Sequence, residues 1–293
     1  MEFTIEDIAG AISVKDGFSR VDWDVVENWL NVHFVRSDHR DAARLEAVLQ
    51  WLELLADELG QDYWINSARR CILLTNQPRP VGDDLLRFAE SALDRIGVLL
   101  DIAPEAARAP KHVLIRLHRI ELYYTYISHY YAEGEYGGSG GVCIRAGMPH
   151  IVMPRTPYGG EAAVVAHELT HAVLNSFHAP AWVEEGVAQI IEQELTGRPT
   201  LQLNHEVADT LRAYWKTHPL DEFWCGRSFA RADDGQRCSY QLAEVLVRLI
   251  LADHRPRFLP FLEDSAAEDG GEAAAQEHFS RSLAEIARTF LGD

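Results

Sequence analysis

The residues best placed to do chemistry in this chain lie between Ala163 and Gly186. His167-Glu168-Leu169-Thr170-His171 is an H-E-x-x-H pattern inside an apolar, glycine-free run that comes after Gly160 and carries on to Leu174. Residues four apart stand one above the other on the same face of a helix, so both imidazoles can aim a ring nitrogen at one point. Zn²⁺ takes neutral imidazoles in a tetrahedral array and, in catalytic sites, keeps one position open for water. Glu168 comes directly after the first histidine, where its carboxylate can take a proton from that water. Alone, the five residues also suit an amphipathic helix with surface histidines.

A second stretch, Trp182-Val183-Glu184-Glu185-Gly186, begins eleven residues after His171. A catalytic zinc needs three protein ligands, and two histidines with a glutamate are an established set. Glu185 would supply the third from a second helix packed against the first. Gln189 stands one turn further on, where it could hydrogen-bond a ligand.

Together the two stretches resemble the gluzincin zinc metallopeptidases. The first is similar to the active-site helix of thermolysin. The second is similar to the W-x-x-E-G stretch of the aminopeptidase N families and of small bacterial MA-like peptidases. Thirteen residues separate His171 from Glu185, a gap shorter than in the large aminopeptidases and normal for the small proteins. The resemblance implies a Zn²⁺ held by His167, His171 and Glu185, the glutamate just before the glycine being the ligand rather than Glu184. It implies peptide-bond hydrolysis with Glu168 as general base. It places the Tyr240 hydroxyl, in Ser239-Tyr240-Gln241-Leu242-Ala243, at the developing oxyanion. It also implies an edge strand, His150 to Met153, that holds extended peptide by main-chain hydrogen bonds. Gly147-Met148-Pro149-His150 lacks the glutamate of the G-x-M-E-N stretch of large aminopeptidases, so an endopeptidase or specialised processing peptidase is expected. The resemblance covers roughly residues 65–293 and is specific only at the two zinc stretches.

The competing reading is a non-catalytic zinc protein, in which the metal staples two helices and the surface binds or regulates a partner. Structural zinc usually has four protein ligands, often including Cys. Three are assigned here, and no Cys is near them in sequence.

The 293 residues allow one large or two small domains. A hydrophobic content of 47% with 25% charged residues is ordinary for a globular protein. The net charge of −18 repels a polyanion, so no nucleic-acid partner is expected. No apolar run approaches a membrane span. Met1 to Gly10 is acidic and lacks an apolar core, unlike a signal peptide, so a cytoplasmic protein is expected. Cys71, Cys143, Cys225 and Cys238 are scattered and expected to be reduced. Cys225 and Cys238 bracket one polar loop, which leaves a disulfide or a second metal site open for that pair.

The expected fold is α+β and zincin-like: residues 1–61 a helical prefix, 62–176 a sheet-containing subdomain carrying the H-E-x-x-H helix, and 177–293 a helical subdomain. Asp22 caps a short helix, and another runs from Asp38 or Asp41 to Gly60 on the i, i+3, i+4, i+7 pattern. Strands are expected at Arg70–Thr75 and His112–Leu117, with a helix capped by Asp83 or Asp84 between them and ending at Gly97. A tyrosine-rich helix spans Ile120–Tyr131, its tyrosines read as core and rim. The glycine-rich stretch Glu133–Gly141 lacks a phosphate-binding pattern and reads as a rim loop. Val142–Arg145 and His150–Met153 pair as strands, and His150 reads as a surface residue. Helices are expected next over Gly160–Asn175, Ala181–Leu195 and, capped by Asn204, to Thr217. Pro219–Arg237 reads as a long polar loop, Ser239 as the start of another helix, Ala266–Ala275 as a flexible connector, and His278–Leu291 as one closing helix.

Overall fold

A computed structural model describes residues 3–60, 62–102, 110–132, 139–156 and 160–292. It is a mixed α+β protein. The chain divides into two compact units, Met1–Ser91 with Glu105–Ala162, and Ala92–Pro104 with Ala163–Asp293. The H-E-x-x-H helix therefore groups from Ala163 onward with the helical unit, where the sequence suggested a division after residue 176. No helix among the described residues is long and apolar enough to cross a membrane.

The first unit opens with an antiparallel hairpin of β1 (Ile12–Lys15) and β2 (Phe18–Val21), so the prefix is not wholly helical. Two helices come next, α1 (Trp23–His33) and α2 (Ser37–Leu59). Asp22 caps α1 by accepting from the Val25 amide. A five-stranded sheet then forms from β3 (Trp64–Ser67), β4 (Cys71–Thr75), β5 (His112–Leu117), β6 (Val142–Ile144) and β7 (His150–Pro154), in the order β3-β4-β5-β7-β6. The middle three strands are parallel and the two outer ones antiparallel. Between β4 and β5 the chain makes α3 (Arg79–Leu100), and after β5 it makes α4 (Ile120–Ile127). Helix α3 starts at Arg79 and runs through Gly97. Asp83 does not cap it but accepts from the Asn66 side chain.

Strand alternation sends Ile72, Leu74, Val113, Ile115 and Leu117 into one core with Trp51, Leu52 and Leu55 of α2. The order of strands corrects one expectation. β7 lies between β5 and β6, so both its edges are paired, and β6 is the outermost strand on that side. His150 is also not a surface residue. It is 3% exposed, donates from Nδ1 to the Met148 carbonyl, and accepts from the Tyr126 hydroxyl at 2.8 Å. Trp51, Tyr126 and Tyr130 surround its ring edge-on. Burial pushes its pKa down to about 4, against a smaller upward pull from the Met148 carbonyl. Tyr123 and Tyr126 are core, as read from the sequence. Most of the glycine-rich stretch 133–141 lies outside the described residues.

The second unit holds the end of α3, most of α5 (Glu161–Leu174), then α6 (Ala181–Thr196), α7 (His205–Thr217), α8 (Asp221–Trp224), α9 (Asp234–Asp264), α10 (Glu272–Phe279) and α11 (Leu283–Leu291). Asn204 caps α7 by accepting from the Val207 amide. Helix α9 is the centre, with α6, α7, α10 and α11 packed on it. It kinks at His254, two residues before Pro256. The stretch read as a polar loop, Pro219–Arg237, instead contains α8, a 3₁₀ turn at Arg227–Ala230 and the start of α9. Phe223 and Phe229 bury there, and the Arg231 guanidinium ties Glu222 to Asp233. The expected flexible connector is likewise packed. Trp182 is fully buried and its indole N–H donates to the Gly270 carbonyl at 2.9 Å. The closing helix is two helices, the second opened by a Ser282–Glu285 capping box. All four cysteines are free thiols, Cys225 exposed and Cys238 buried, so that pair is not bridged.

Candidate metal centre

Helix α5 presents the two imidazoles. Val165, Ala166, Leu169 and Leu174 bury its apolar side, and Thr170 returns its hydroxyl to the Ala166 carbonyl. His167 and His171 project one turn apart, ring centroids 4.9 Å from each other. The chain leaves α5, turns through His178 with φ +53°, and enters α6 at Pro180, which needs no amide partner. Glu184 and Glu185 fall in the first turns of α6, where a helix's positive end favours carboxylates.

Gly186 explains how α6 is seated. A Cβ there would lie 2.6 Å from the Ala243 carbonyl oxygen and 2.6 Å from Val247 Cγ2. The backbone of α6 thus rests on α9, and only glycine permits that approach. Glu185, the adjacent residue, points the other way, toward α5.

The donor atoms of His167, His171 and Glu185 all lie within 4.8 Å of one another. Glu185 Oε2 stands 3.3 Å from His167 Nε2 and 3.6 Å from His171 Nε2, with no hydrogen-bond partner although it is buried. The outer nitrogens are also engaged. His171 Nδ1 donates to Glu184 Oε2 at 3.3 Å, and His167 Nδ1 lies 3.4 Å from Glu192 Oε2. The sequence suggested Gln189 for such a supporting place; the structure gives it to Glu184 and Glu192. Glu192 was recoverable in principle, since it lies seven residues after Glu185 and so shares its helix face.

A neutral imidazole carries one N–H. When that hydrogen sits on Nδ1 facing a carboxylate, Nε2 presents a lone pair. Two such lone pairs and a carboxylate oxygen then meet at one place, an arrangement that calls for positive charge. Protons or a dication can supply it. Burial pushes both imidazoles toward their neutral forms, but the carboxylates outweigh it. Glu185 and Glu192 hold His167 up to about 9, and Glu185, Glu184 and Glu168 hold His171 well above its usual range. Glu185, which burial alone would raise, is held well below the ordinary carboxylate range by the two imidazoles. The residues present therefore fit a divalent cation with nitrogen and oxygen donors.

No protein family, curated protein or solved structure matches the chain.

Glu168 is buried on α5 and close enough to His171 to contribute to its raised pKa. Tyr240 lies on α9, half-buried, its ring edge-on to Phe229 at 5.4 Å. It is one helical turn before Ala243, the α9 residue beneath Gly186. A second group, Asp264, Glu277 and His278, is mostly exposed and centres on a 2.7 Å hydrogen bond from His278 Nε2 to Asp264.

Proposed function

We propose that this protein is a zinc-dependent metallopeptidase in which His167, His171 and Glu185 hold the metal. The observation that carries the reading is the convergence of both Nε2 atoms on the otherwise unpartnered Glu185 Oε2. A zinc ion bound there would act as a Lewis acid toward water and the scissile carbonyl. Glu168 takes a proton from the attacking water on its carboxylate and passes it to the leaving amine nitrogen. The Tyr240 hydroxyl donates to the carbonyl oxygen as negative charge gathers on it. Burial of Glu168 keeps bulk water from competing for that proton.

Among the described residues, three donors converge on this point and not four. That favours hydrolysis over a structural staple, which closes its fourth position with another protein ligand. The peptide substrate and the endopeptidase or processing mode remain those implied by the sequence resemblance. Glu168→Gln keeps all three donors and removes the base. It is expected to bind zinc as the wild type does while losing cleavage of a peptide library. Wild-type turnover in that variant would remove Glu168 from the mechanism.

A further inference from the structure

We infer that Glu184 and Glu192 are positioning residues that fix both histidines in the Nδ1–H tautomer, so that α6 alone supplies the third donor and the orientation of the other two. This rests on the zinc reading above and adds to it two residues, Glu184 and Glu192, to which the sequence resemblance gives no role.

Both imidazoles come from α5, and the three carboxylates seen at their ring nitrogens, those of Glu184, Glu185 and Glu192, come from α6. Glu185 faces the two Nε2 atoms, Glu184 takes the Nδ1 of His171, and Glu192 stands at the Nδ1 of His167. The His167 ring therefore sits between Glu185 and Glu192, two turns apart on one face. With Nε2 turned to the metal beside Glu185, the one hydrogen of a neutral imidazole falls on Nδ1, where Glu184 or Glu192 accepts it. Carboxylates in this position orient metal-bound imidazoles and raise their basicity; their loss costs about 10- to 100-fold in metal affinity. Glu184 should matter more than Glu192. Its contact meets hydrogen-bond geometry, and its side chain is 9% exposed against 24% for Glu192. Solvent can replace Glu192 more readily than Glu184.

The test uses the full chain with Glu184→Ala, Glu184→Gln, Glu192→Ala and Glu192→Gln. Zinc affinity is measured by competition with a chromophoric chelator, and imidazole tautomers by ¹⁵N chemical shifts in the zinc-loaded wild type. The wild type should show Nδ1–H on both residues. Each alanine variant should bind zinc about 10- to 100-fold more weakly, Glu184→Ala the more so. Each glutamine variant should recover part of the loss, because its carbonyl oxygen still accepts from Nδ1–H. A general packing defect would not be rescued by glutamine in this graded way. Because glutamine is nearly isosteric and the tautomer is read on the wild type, a misfolded alanine variant does not decide the matter. Wild-type zinc binding with affinities unchanged within about twofold, well short of that range, or Nε2–H tautomers, would overturn the assignment while leaving the metal centre standing. A wild type that takes up no zinc would overturn both.

Discussion

Gly186→Ala is the substitution that links packing to the site most directly. The added Cβ would stand 2.6 Å from both the Ala243 oxygen and Val247 Cγ2, inside the 3.0 Å that real Cβ contacts keep. Val247 can rotate; the Ala243 carbonyl is part of the α9 backbone and cannot. Helix α6 must lift by several tenths of an ångström. Overpacking of this kind costs about 1–3 kcal/mol. Alanine returns about 1 kcal/mol of helix propensity over glycine, leaving a net loss of up to about 2 kcal/mol. At roughly 2–4 °C per kcal/mol for a domain of this size, the melting midpoint should fall by a few degrees. Glu185 is the next residue, so its oxygen moves with the helix and zinc affinity should drop as well. Thermal unfolding of the metal-free protein and chelator competition measure the two effects separately. A raised melting midpoint together with wild-type zinc affinity would refute the close α6–α9 approach.

Three further outcomes are expected. Burial lowers the His150 pKa to about 4, so the unfolded state binds this proton first as the pH falls. Its contribution to stability is complete above about pH 6.5 and is lost between there and about pH 4, about 3 kcal/mol in all. Denaturant midpoints at about pH 7 and about pH 5, on either side of the unfolded pKa, should therefore lie closer together in His150→Gln than in the wild type, His112, whose pKa burial also lowers, still contributing, and an unchanged pH slope would show that His150 is not buried neutral. Arg116 is 1% exposed and paired with Glu161 at 2.7 Å. Glu161→Ala removes the carboxylate and leaves the buried guanidinium to the Gln77 amide oxygen, and should cost about 3–5 kcal/mol by urea unfolding; a loss under about 1 kcal/mol would mean that Gln77 satisfies Arg116 without Glu161. Tyr240→Phe keeps the ring against Phe229 and should lower kcat on the order of 100-fold with little change in KM, and an unaltered kcat would retire the hydroxyl from the mechanism.

The parts of the chain legible from sequence are those fixed by local geometry. Asp22 and Asn204 cap their helices because a short polar side chain reaches an amide three residues on. His167 and His171 share a face because the helix repeat makes them. What was not legible depends on partners distant in sequence. Nothing in Trp64–Ser67 marks it as the outer strand β3, and nothing in His150–Pro154 says that β6 covers its far edge. His150 is polar, yet Trp51, Tyr126 and Tyr130 enclose it from other segments of the chain. Asp269 to Ala275 is small and polar in composition, but Trp182, nearly ninety residues earlier, binds Gly270. Glu184 and Glu192 belong to the same class. A helical wheel shows where they project, and only the packed α5–α6 pair shows that histidine Nδ1 atoms are waiting there.

Zinc titration of the wild type against Glu185→Ala tests the central claim most directly. By metal analysis and chelator competition, the wild type should bind one equivalent tightly, and the variant should lose tight binding while keeping its helical circular dichroism. Wild-type affinity in Glu185→Ala would show that the two histidines and this carboxylate do not form the metal centre.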